Sequence, residues 1–139
     1  MPAADVAPLA RLHRAIERLG REYHLEVDPD ARVQHLSVGQ RQRVEILKAL
    51  HRGADLLILD EPTAVLTPQE ADHLFRILGA LRAEGKTVLL ITHKLREILE
   101  ITDAVTVMRQ GAVVATLPTG GTSAAQLAEL MVGRAVSLS

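Results

Sequence analysis

Two short apolar runs with a strongly signalled helix between them constrain this chain more than any other feature. Leu56-Leu57-Ile58-Leu59 is apolar on both alternating faces and stops at Asp60-Glu61-Pro62. A strand of that kind suits a parallel sheet covered by helices on both sides, since a strand with one wet face alternates instead. The proline, which has no N–H to give a ladder, ends it. Thr87-Val88-Leu89-Leu90-Ile91 repeats the pattern. Between the two, Thr67-Pro68-Gln69-Glu70 combines an N-cap, a proline at the first helical position and a Glu at the third, which is a capping box. The helix it opens turns Ala71, Leu74, Phe75, Leu78 and Leu81 inward and stops at Gly85. Strand, helix and strand with short links predict a parallel crossover in an α/β fold.

A helical part precedes this crossover and a hairpin follows it. Val6, Leu9, Leu12, Ile16 and Leu19 recur at helical spacing, with Gly20 as the predicted cap. Asp28-Pro29-Asp30 punctuates a turn, and Ser37 is a natural N-cap for a helix carrying Val44, Leu47 and Leu50. Residues 94–100 read as a short helix. Residues 104–108 and 112–116 flank Gln110-Gly111 as an antiparallel hairpin. Thr122 or Ser123 caps a last helix that runs through Met131 and ends near Gly133.

Bulk properties exclude several functions. The 139 residues are of one-domain size, enough to bury roughly 65–70% of the surface of the unfolded chain. Sixteen Lys and Arg are scattered among seventeen Asp and Glu, and Tyr23 and Phe75 are the only aromatics. Nucleic acid therefore finds neither an electrostatic footprint nor a stacking platform. Without cysteine there is no disulfide framework, thiolate metal site or thiol nucleophile. No apolar run approaches the roughly 20 residues of a membrane-spanning helix, and residues 1–10 lack the pattern of a secretion signal, so a membrane role passes through a partner.

Three segments carry chemistry. A carboxylate at the carboxyl end of a parallel strand sits on the rim where open α/β sheets bind ligands, and Asp60 and Glu61 occupy that rim. In nucleotide hydrolases an Asp there holds Mg²⁺ and a neighbouring acid orients or deprotonates the attacking water; a solvated Asp-Glu-Pro turn would carry the same residues. Ser37 and Gly39 at a helix start offer a hydroxyl and backbone N–H groups to an anion, or simply cap the helix. Thr92-His93 follows the second strand, so if the two strands are neighbours His93 reaches the same rim. None of His13, His24, His35, His51 or His73 stands at metal-ligand spacing with another His, and all read as surface or boundary residues.

In order and interval, Leu36-Ser37-Val38-Gly39-Gln40, Asp60-Glu61-Pro62-Thr63 and His93 resemble the signature motif, Walker B and switch histidine of ABC-transporter ATPases. The resemblance covers the carboxy-terminal half of the nucleotide-binding domain, a partial P-loop NTPase fold, from about Tyr23 to Gly133. It implies a helical-subdomain portion over residues 8–52 and a catalytic-core portion over 53–133. Residues 36–50 and 60–70 are similar to ATPases of simple-sugar and nucleoside importers, and Glu129-Leu130-Met131-Val132-Gly133-Arg134 resembles the end of the first of their two tandem domains. The resemblance implies that Asp60 positions Mg²⁺, that Glu61 is the catalytic carboxylate, and that His93 contacts the γ-phosphate of ATP. It implies that Ser37, Gly39 and Gln40 address an ATP held mainly by an opposing domain. Implied partners are a transmembrane permease and a second nucleotide-binding domain, and the implied location is cytoplasmic, on the inner face of the membrane. Two alternatives are a non-catalytic module presenting its signature segment, and an ABC ATPase outside transport.

A phosphate loop needs two glycines four residues apart followed by Lys and Ser or Thr, between a strand and a helix. Gly79-Ala80-Leu81-Arg82-Ala83-Glu84-Gly85-Lys86-Thr87 comes nearest, but its spacing is wrong and its helix precedes its strand. Gly85-Lys86 reads as a helix stop with a surface lysine. Lacking the loop, the chain alone is expected to bind ATP poorly, to leave ATP uncleaved, and to expose sheet edges that invite self-association.

Overall fold

The computed structural model describes residues 6–133; Arg134 lies outside them. The predicted crossover is present. β1 (Leu56–Asp60) and β2 (Thr87–Ile91) pair in parallel, with Leu56 opposite Thr87 and Asp60 opposite Ile91. α3 (Pro68–Ala83) joins them and packs on β2, burying Leu74, Ile77, Leu78 and Leu81. α1 (Val6–Tyr23), a 3₁₀ turn (Val33–His35) and α2 (Val38–His51) come before. The described residues fall into two compact units that divide between Ile91 and Thr92, and these elements form the first.

Thr67 opens α3 through the predicted box: its Oγ1 accepts the Glu70 N–H at 3.2 Å, and Glu70 Oε2 accepts the Thr67 N–H at 3.0 Å. Gly85, at φ +85°, closes the helix, and the Lys86 N–H reaches back to the Leu81 carbonyl at 3.1 Å. Lys86 itself is not a surface lysine. Its side chain is 19% exposed, and Nζ donates to the Ala54 carbonyl at 3.1 Å beside Asp55. The cation fixes the entry to β1, whose preceding residue has its carbonyl bonded to the Thr87 N–H at 2.9 Å.

Two expectations need correction. α1 does not stop at Gly20 but runs to Tyr23; His24 then takes φ +58°, and the Leu25 N–H bonds back to the Gly20 carbonyl at 2.8 Å. This is a Schellman ending with histidine where glycine is usual. Gly20 is small because the returning chain brings Glu26 Cα to 3.3 Å from where a Cβ would stand. The second correction concerns the sheet. Leu57 is buried, but Leu56 and Ile58 are 54% and 60% exposed, and Leu89 and Ile91 share that open side. Helical cover reaches one face only, since α3 packs from one side and no other described element shields the opposite face.

The second unit comprises α4 (Leu95–Ile101), β3 (Ala104–Arg109), β4 (Ala112–Pro118) and α5 (Ala124–Val132). Arg109 pairs with Ala112 across Gln110 and Gly111, whose φ values of +49° and +78° are both left-handed. That is the combination a two-residue type I′ turn requires, and its twist matches the flanking strands. α4 and α5 cover the hairpin's inner side, burying Ile98, Val105, Val107 and Leu127 together. Of the two predicted caps Ser123 is the one used: its Oγ accepts the Gln126 N–H at 3.1 Å. Gly133 ends the helix at φ +78°. No described helix is long and apolar enough to cross a membrane.

Candidate functional site

Ser37 caps α2 as its sequence predicts, and the cap is reciprocal. The Gln40 N–H donates to Ser37 Oγ at 3.2 Å, while the Ser37 N–H donates to Gln40 Oε1 at 2.9 Å. The two side chains singled out for ligand contact thus organise one another first. Ser37 is exposed, and its hydroxyl proton remains available to an acceptor in solvent. Gly39 is buried for a reason the sequence did not reveal: a Cβ there would stand 2.8 Å from Glu70 Oε1. Glycine lets the first turn of α2 seat against the carboxylate that caps α3.

At the other end of this seam β1 delivers the acids. Asp60 is its exposed last residue. Glu61 leaves the ladder at φ +46°, a left-handed backbone that side chains other than glycine adopt at a cost. It also precedes Pro62, which disfavours any conformation but an extended one. The position is held by its surroundings. The Glu61 N–H donates to the Ile91 carbonyl at 2.8 Å, the Glu61 carbonyl accepts the Ala64 N–H at 3.2 Å, and Gln42 Nε2 donates to the Pro62 carbonyl at 2.7 Å. Pro62 and Thr63 are buried, and Glu61 Oε2 is shielded from solvent. Sequence reasoning missed Gln42, and a separation of twenty residues carries no local signal for such a bond.

His93 belongs to the second unit, where it is exposed two residues beyond the end of β2. The turn that carries it is fixed by Thr92 Oγ1, which accepts the Lys94 N–H at 3.1 Å, and Lys94 Nζ lies 3.7 Å from the Glu97 carboxylate. Among the described residues no group of three or more His, Cys, Asp or Glu side chains is arranged to hold a metal. An exposed carboxylate such as that of Asp60 is the type of ligand Mg²⁺ takes, since this hard cation keeps several waters and is bound by one or two carboxylates together with substrate phosphates. His13 approaches Asp30 at 3.7 Å, and His73 Nε2 bonds the His24 carbonyl at 2.6 Å. Both tie α1 and the turn after it to their neighbours, a structural use of histidine.

A family model described as ABC transporter matches residues 4–64, the stretch containing residues 36–40, Asp60 and Glu61. The chain is 54% identical over 89% of its length to the nucleoside import ATP-binding protein NupA of Lactococcus lactis, and 56% identical over 88% to the glucose import ATP-binding protein TsgD13 of Haloferax volcanii. It is 46% identical over 87% to a ribose import ATP-binding protein, RbsA, of Hahella chejuensis. It spans 24%, 22% and 24% of those relatives' own lengths. Among solved structures, CbiO1 of Clostridium perfringens, part of an ABC transporter complex, superposes with a TM-score of 0.71 at 28% identity, over 90% of this chain and 49% of that one. An ATP-binding cassette of another ABC transporter gives 0.76 at 25% identity, over 96% and 51%. The chain belongs to the ABC transporter family of ATP-binding proteins.

Proposed function

We propose that this chain is the Walker B and signature portion of an ATP-hydrolysing subunit that energises import of a nucleoside or simple sugar. The observation that carries the reading is the left-handed Glu61, locked at the end of a parallel strand behind the exposed Asp60. Backbone strain of this kind persists where the surroundings over-determine it, and it concentrates at sites of chemistry. In the proposed roles the Glu61 carboxylate takes the proton of the attacking water, and Asp60 is the ligand of Mg²⁺. The ion supplies charge neutralisation at the phosphates when bound. His93 donates to the γ-phosphate. Ser37, Gly39 and Gln40 present α2's first turn to ATP held by an opposing nucleotide-binding domain.

Substrate class and partners come from the relatives: a nucleoside, glucose or ribose is what their names say they import. The proposed partners are a transmembrane permease and a second nucleotide-binding domain, with the chain peripheral on the cytoplasmic face. Exposed Leu9 and Leu12 on α1 give the helical part an apolar surface suited to a protein partner. No phosphate-loop pattern occurs within these 139 residues, so the chain alone is proposed to be inactive.

The test is ATP hydrolysis by the transporter reconstituted with its permease. Glu61→Gln is expected to lower turnover by at least about 100-fold, the scale of a lost general base. Unchanged turnover would refute the assignment. Vanadate-sensitive hydrolysis by the isolated chain, lost in the same variant, would refute its dependence on a phosphate loop from elsewhere.

A further inference from the structure

We propose that Gln42 is a positioning residue for Glu61, acting through the Pro62 carbonyl; the inference rests on the functional reading above. Gln42 lies one helical turn after Gly39, and the two face the same segment: Gly39 seats against Glu70, and Gln42 Nε2 donates to Pro62 at 2.7 Å. That carbonyl is the one immediately after the strained residue. Pro62 is buried, so its oxygen has no water to fall back on, and a buried carbonyl without a donor drives rearrangement of its peptide. Proline fixes its own φ but not its ψ; turning the Pro62–Thr63 peptide alone would move the buried Thr63, so relief is expected to include movement of the Glu61–Pro62 segment as a unit. Loss of the amide therefore releases Glu61 from φ +46° toward the extended backbone that a residue before proline prefers. The carboxylate then swings away from the strand end. The same helix carries the Ser37–Gln40 cap, so α2 connects the proposed nucleotide-facing turn to the proposed general base through one side chain.

Two variants separate positioning from bulk. Gln42→Met keeps the length and removes the donor, whereas Gln42→Lys restores an N–H of similar reach. In the reconstituted transporter Gln42→Met is expected to lower kcat about five- to tenfold, the worth of one buried hydrogen bond, with KM for ATP within about twofold. Gln42→Lys is expected to recover most of the loss. A fall in kcat matched by an equal rise in KM, or no recovery with lysine, would overturn the proposal. Amide exchange on the 139-residue chain provides a readout free of activity. The Ala64 N–H, which bonds the Glu61 carbonyl, should exchange about fivefold faster in Gln42→Met and regain its rate in Gln42→Lys. Unaltered exchange would equally sink it. If Glu61→Gln leaves parent turnover intact, the functional reading fails, and the Ala64 exchange rates still decide whether Gln42 holds this segment.

Discussion

The two sheets of this molecule treat water differently. In the hairpin, the side turned away from α4 and α5 carries Ala104 opposite Pro118 and Thr106 opposite Thr116, whose hydroxyls bond at 3.3 Å. Met108 opposite Val113, 61% and 62% exposed, adds an apolar pair to that surface, while Val105 and Val107 point into the core. In the parallel pair, the open side carries Leu56, Ile58, Leu89 and Ile91, each about half exposed or more. Antiparallel strands are commonly written for one wet face and parallel strands for two dry ones. The hairpin's open side is mixed, with bonded threonines beside an exposed Met108–Val113 pair, whereas the open side of the parallel pair is aliphatic from Leu56 to Ile91.

This contrast can be broken by substitution on the two sides of one strand. Leu57→Ala, on the covered side of β1, removes a side chain only 6% exposed. It is expected to cost about 2–4 kcal/mol in denaturant unfolding. Tyr23→Phe should cost less, about 1 kcal/mol, because the Tyr23 hydroxyl donates to Glu84, an exposed carboxylate that water can serve instead. That bond, with burial and the nearby charge of Glu22, raises the Tyr23 pKa above its ordinary value. The folded state thus holds the proton more tightly than the unfolded one. The associated stability is complete below the unfolded tyrosine pKa of about 10 and fades as pH rises beyond it. Melting of wild type and Tyr23→Phe should differ most below that pH and converge above it; a constant difference would count against the bond. Ile58→Thr, on the open side, should change stability by no more than about 0.5 kcal/mol. Its effect should appear in sedimentation instead, as reduced self-association. If Ile58→Thr destabilised as much as Leu57→Ala, the open side would have to be a covered one.

What the sequence revealed were features set by neighbours within a few residues. The caps at Ser37, Thr67 and Ser123, the apolar strands, the left-handed stop at Gly85 and the Gln110-Gly111 turn are all local chemistry, and each formed where it was read. What it hid were long-range contacts. Gly20 looked like a stop but is a point of close approach, Lys86 looked solvated but closes a loop, and the Gln42 bond had no sequence signature. The covered side of the sheet could not be told from the open one, because both carry the same aliphatic residues. Asp60 and Glu61 were legible from their place at a strand end, whereas the twisted backbone of Glu61 was not.

That backbone has a consequence for how position 61 would drift under selection. A population of variants filtered for folding alone would favour glycine or asparagine there, since either accepts φ +46° more readily than glutamate. Valine or isoleucine would be purged first, whatever their effect on charge. Glutamate at this point is therefore a choice against thermodynamic convenience, and replacing it by glycine trades a carboxylate for a more relaxed chain.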